Sequence, residues 1–133
     1  MAVGLSAANL ANPWLDVLRL QGITAKSIVA VKLHTGDPGS AGTTAASGNT
    51  TRSTITFAAA ASGAIASNNV PSWSSWPVGQ NGEVITHISL WDNATAGNFL
   101  LSIALTASKT MGTGDTLNLT SGGTTVTLTP IAA

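Results

Sequence analysis

Cysteine and tyrosine are absent from this 133-residue chain, glutamate occurs once and histidine twice. Without cysteine there are no disulfides and no thiolate metal sites. Five basic residues face five acidic ones, and Arg19, Lys26, Lys32, Arg52 and Lys109 are scattered along the sequence. A duplex-binding surface needs clustered phosphate contacts, so nucleic acid is not an expected partner. No run of about 18 apolar residues occurs, which excludes an ordinary membrane-spanning helix. Ala58–Ala61 is apolar but too short. The first residues lack a basic stretch followed by an uninterrupted apolar one, so no signal peptide is expected.

Charge is scarce as well. Charged residues make up 8% of the chain, against about 25% in ordinary soluble domains. Ser, Thr, Asn and Gly supply the polarity. A chain with so little net charge has weak protection against association. Two explanations fit: Thr-rich exposed faces that keep a β-protein soluble, or a subunit whose surface is covered by neighbours.

The length suits one domain, residues 1–133. Asn12-Pro13 reads as a helix start, with Pro lacking the N–H that would go unsatisfied there, and Gly22 suits a left-handed C-cap. Residues 1–24 therefore form a helical segment, with Ser6 to Ala11 as a preceding turn. Trp14, Leu15 and Leu18 share one face, and a helix this short must dock that face on something. Ile28–His34 reads as a buried strand running into the turn Gly36-Asp37-Pro38-Gly39, each of whose residues favours a turn for its own reason. Residues 36–51 hold Gly, Ala, Ser and Thr without periodicity and read as a long flexible loop.

Further strands are predicted at Ser53–Ala58, Ala64–Val70, Val84–Trp91, Phe99–Ala107, Thr116–Thr120 and Thr124–Thr129, from alternation and β-branched content. The last two flank Ser121-Gly122-Gly123 as a terminal hairpin would. Half-apolar strands need a facing layer, so the expected fold is mainly β: an antiparallel, jelly-roll-like β-sandwich with a short N-terminal helix.

Candidate chemistry is thin. His34 and His87 each have an acid nearby in sequence, Asp37 and Asp92, and two His with one Asp could hold a metal. Structural hydrogen bonding is the preferred reading of both. No G-x-S-x-G elbow accompanies the many serines, and Glu83 is the lone glutamate. No enzyme activity, cofactor or metal is expected. Trp73 and Trp76 lie in a segment bracketed by Pro71 and Pro77. They could stack on sugars or anchor a subunit interface, or they could close the open end of the core. Trp14 and Trp91 read as core residues. Asn49, Asn93 and Asn118 begin glycosylation acceptor patterns that chance alone explains in an Asn- and Thr-rich chain.

The "LHTGDPG" turn at residues 33–39, followed by a Gly/Ala/Thr-rich loop, "TITFAAAASGAIAS" and "HISLWDNATAGNFL", resembles a family of small tailed-bacteriophage virion proteins. Its members are labelled tail-fibre-like or minor structural proteins, many from phages of actinobacteria. The resemblance implies a non-enzymatic virion component made in the bacterial cytoplasm, with no catalytic residues to transfer. It implies phage structural proteins as partners, major capsid protein or tail proteins, and a homo-oligomer or many copies per virion. The chain has no coiled-coil heptads or collagen-like repeat to give a fibre reach, and few charges to desolvate against neighbours. Capsid decoration is therefore the expected role, with a tail-fibre or tail-tip subunit bearing a host-glycan site as the alternative.

Overall fold

The computed structural model describes residues 3–128. Its centre is a four-stranded antiparallel sheet in the order β2-β1-β5-β6, built from β1 (Ala30–His34), β2 (Ser53–Thr54), β5 (Glu83–Trp91) and β6 (Phe99–Met111). The chain is mainly β, with antiparallel sheets and one short N-terminal helix.

The register explains which residues reach the core. Val31 opposes Leu90 and Leu33 opposes Ile88, while Leu90 and Ile88 oppose Leu101 and Ile103. The alternation of strand side chains puts this row on one face. All but the half-buried Ile103 are buried, and each fully buried Leu or Ile contributes roughly 1.5–3 kcal/mol. The other face carries Lys32, His34, Ser89 and Trp91. β6 runs to Met111, beyond the predicted Ala107. Between Ile85 and His87, β5 advances two positions, while the matching partners on β6 are Lys109 and Ala104. The surplus on β6 interrupts the apolar alternation that marks a strand in sequence, yet Met111 at its far end is fully buried.

The predicted terminal hairpin is corrected by the ladders. β7 (Leu117–Asn118) pairs with β4 (Ser72–Trp73), and β8 (Thr125–Thr127) pairs with β3 (Ala64–Ala66), forming two separate two-stranded ribbons. A tight turn remains, with the Gly123 N–H donating to the Thr120 carbonyl at 2.9 Å. The strands it joins find long-range partners that bury more: Leu117 opposes Trp73, and Val126 opposes Ile65. Trp73 and Leu117 join the same core as Val31 and Leu33. Thr129, placed in the last predicted strand, lies outside the described residues.

The α-helix begins at Asn12-Pro13 as its signal predicts, and a helical turn precedes it. Ser6 caps that turn, its hydroxyl accepting from the Asn9 N–H, and the π-helical stretch at Ala7–Ala11 leads into α1 (Asn12–Asp16) and a 3₁₀ turn at Val17–Arg19. The helical run ends at Leu20, in left-handed conformation with φ 62°, two residues before the expected glycine. The run hangs on the edge of β6: the Ser6 N–H donates to the Leu100 carbonyl, and the Asn9 side-chain amide donates to that of Phe99. This occupies backbone groups that an edge strand would otherwise expose.

Residues 36–51 are tied back to the sheet. Asp37 accepts from the Gly39 N–H at 2.8 Å, as an Asx turn does, and the Thr44 N–H donates to the Pro38 carbonyl. Farther along, Glu83 accepts from the Ser47 hydroxyl at 2.7 Å and the Gly48 N–H at 2.8 Å.

Candidate functional site

A serine and a histidine lie within reach of each other. Ser89 Oγ is 2.7 Å from His34 Nε2, and His34 Nδ1 is 2.9 Å from the Thr44 carbonyl. A carbonyl only accepts, so Nδ1 carries the proton and Nε2 accepts from the Ser89 hydroxyl. This is the hydrogen-bond pattern of an activated nucleophile. Both residues, however, are fully buried, and Ser89 Oγ also accepts from Trp91 Nε1–H at 2.8 Å. No substrate atom can approach an oxygen so enclosed. The pair is a structural lock.

Burial holds the His34 pKa below the ordinary histidine value. The acceptor carbonyl of Thr44 works in the opposite direction, and the charges of Lys32 and His87 add to the lowering. His34 and His87 are cross-strand partners, but the acids are engaged elsewhere. Asp37 serves its own turn, and Asp92 accepts from the Asn98 amide and from Lys26 Nζ at 3.2 Å. Among the described residues no group of three His, Asp or Glu side chains forms. His87 bonds the adjacent Thr86 hydroxyl.

Trp73 and Trp76 are 3% and 1% exposed. Their indole N–H groups donate to the carbonyls of Thr51 and Gln80. A stacking platform for sugars needs an open ring face, and neither residue has one; of the alternatives for this pair, both indoles lie in the core. Trp14, read as a core residue, is half-buried instead and lines a groove of about 550 Å³ with Leu10, Ile23, Phe57, Leu101 and Val126. Of the face that had to dock only Trp14 is half-buried; Leu15 is 63% exposed and Leu18 84%, and Leu20 at the cap beyond them is 93% exposed.

Trp91 is buried as expected, but it carries a polar site that sequence reading missed. The guanidinium of Arg52 lies 4.1 Å from its ring centroid and the Lys32 ammonium 5.9 Å. Arg52 Nη1 donates to the carbonyls of Asn93 and Ala96, at 2.9 and 2.6 Å, closing the turn after β5 over the indole. The antiparallel pairing of Val31 with Ser53 continues to set Lys32 beside Arg52. Burial lowers the pKa of Lys32, and the neighbouring Arg52 charge lowers it further; Arg52 is lowered by burial alone. A stack of this kind contributes about 0.5–2 kcal/mol, which offsets the crowding of two like charges. Cations that look scattered in sequence meet because two strands pair. No local spacing signals it.

A family model described as "Podophage GP4 fiber I protein gp80" matches residues 5–127. No curated protein matches the chain. The matching family is one of tail fibres, which overturns the expected place on the capsid shell. With 5–127 covered, nearly every element described above lies inside the match, and the chain belongs to this podophage fibre family, as a structural protein of the virion.

Proposed function

We propose that this protein is a non-enzymatic tail-fibre subunit, built into the tail through its apolar N-terminal arm. The single observation that carries this is the exposed row Leu15, Leu18 and Leu20, beside the groove lined by Trp14 and Ile23. Scattered surface leucines are ordinary, but apolar residues gathered along one short helical run mark an interaction surface. Few charges lie on this arm, and its Asp16 and Arg19 pair with each other at 3.0 Å, so covering it desolvates little. The two ribbons, sharing a core with the four-stranded sheet, serve as the second layer of a small β-sandwich that carries the arm.

The test is a Leu18→Asp, Leu20→Asp double variant. Both side chains are exposed, so stability should stay within about 0.5 kcal/mol per site. Purified particles from a phage carrying the variant should lack the protein. Incorporation at the wild-type level would overturn the proposal, as would recovery of the wild-type protein with tailless heads.

A further inference from the structure

We propose that the recess between β1 and the turn after β5 binds an oxyanion carried by an acidic saccharide, with Arg52 and Lys32 as its cationic walls. The recess is a shallow, open one lined by Lys32, Thr50, Thr51, Arg52, Ala94 and Thr95, with a volume of about 550 Å³. It shares no lining residue with the apolar groove, so this inference and the assembly reading fail separately.

Three observations carry it. The first is the guanidinium itself. Of its five N–H donors, the two on Nη1 are spent on the Asn93 and Ala96 carbonyls. The Nε and Nη2 edge has no hydrogen-bond partner among the described residues. That edge is a planar fork suited to two parallel bonds to a carboxylate or phosphate. Its orientation is fixed in advance by the Trp91 ring and the two carbonyls, which reduces the ordering cost of binding.

The second is missing compensation. Among the described residues, neither Arg52 nor Lys32 makes an ion pair, whereas Arg19 and Lys26 both do. Two half-buried like charges side by side are stabilised by any anion that enters between them.

The third concerns who supplies the anion. The carboxylate side chains of this chain are engaged or buried: Asp16 is held by Arg19, Glu83 by Ser47 and Gly48, and Asp37 by the Gly39 N–H on one oxygen, its other oxygen being enclosed in the fold. Asp92 is held by Lys26 and Asn98, and Asp115 by the Gly112 N–H. A second copy therefore has no uncommitted acidic side chain to offer, and the anion comes from outside. The hydroxyls of Thr50 and Thr51, which make no hydrogen bond among the described residues, suit a ligand rich in hydroxyl groups.

The experiment titrates the full-length purified chain with glucuronic acid, glucose 6-phosphate and neutral glucose, following amide chemical shifts around Trp91. One or both acids should shift these amides saturably, glucose should not, and added salt should weaken the effect. The better of the two acids identifies the anion as carboxylate or phosphate. Lys32→Gln and Arg52→Gln should each weaken binding about tenfold, the loss expected when one charge-assisted contact is removed. The Lys32 side chain makes no hydrogen bond among the described residues, so its variant remains informative if Arg52→Gln unfolds the turn. Equal shifts with glucose, no shift with either acid, or unchanged affinity in Lys32→Gln would overturn the proposal. Tighter binding of a polyglutamate peptide than of both sugars would also overturn it, assigning the site to a protein carboxylate.

Discussion

Replacing Ser89 by alanine removes one oxygen and disturbs two buried side chains at once, one on β1 and one on β5. The Ser89 hydroxyl is fully buried, donates to His34 Nε2 at 2.7 Å and accepts from Trp91 Nε1–H at 2.8 Å. Without it, an indole N–H and an imidazole nitrogen are left buried with no partner on that side. Each orphaned group costs about 1–3 kcal/mol. Because both share one oxygen the costs do not simply add, and a total of about 2–4 kcal/mol is expected. For a chain of this length each kcal/mol lowers the melting temperature by roughly 4 °C, so the fall is on the order of 8–15 °C. Urea unfolding followed by circular dichroism and by tryptophan fluorescence reads the same quantity independently. Trp91→Phe is the control. It keeps a ring beneath Arg52 and the Ser89–His34 bond but loses the indole N–H together with ring volume, so its cost combines one hydrogen bond with a packing loss and should leave the pH response of His34 unchanged. A Ser89→Ala protein within about 0.5 kcal/mol of wild type would refute the lock and leave the burial of His34 without a reason.

Two further outcomes follow from the same geometry. His34 has its folded pKa held below its unfolded value of about 6.5, so the unfolded chain takes up a proton first as pH falls. Stability should therefore be full above about pH 7 and decline as pH drops below about 6.5 toward the lowered folded value, with a slope up to about 1.4 kcal/mol per pH unit from this residue. Urea midpoints across that range would show it, and a flat profile would contradict it. Glu83→Ala should release the far end of loop 36–51, costing about 1–2 kcal/mol and speeding hydrogen exchange at Gly48 and Asn49, while amides of β1 stay protected.

What sequence conveyed and what it did not divide along a physical line. The strands Ile28–His34 and Val84–Trp91 were legible because both faces of each are loaded with apolar or buried side chains, and they emerge as β1 and β5. The turn at Gly36–Gly39 was legible because its chemistry is local. Partner choice was not. Leu117 and Val126 look like two arms of one hairpin, and only the burial available against Trp73 and Ile65 separates them. The helix start at Asn12-Pro13 and the turn before it were legible from local chemistry, whereas the bond that ties Ser6 to β6 was not. The polar site was invisible for the same reason. Lys32 and Arg52 stand twenty positions apart, and it is the β1–β2 register that joins them.

The surplus on β6 between Ala104 and Lys109 divides the longest hairpin of the fold into two independently phased halves. In an uninterrupted ladder, slipping by one residue turns every side chain to the opposite face along the whole strand. Here a slip or an insertion near Glu83 and Met111 is absorbed at the surplus and does not travel to Ser89, Trp91 or the turn that follows. The far end of the hairpin is thus free to change length over generations of a phage lineage, while the phase that seats His34, Trp91 and Arg52 stays fixed.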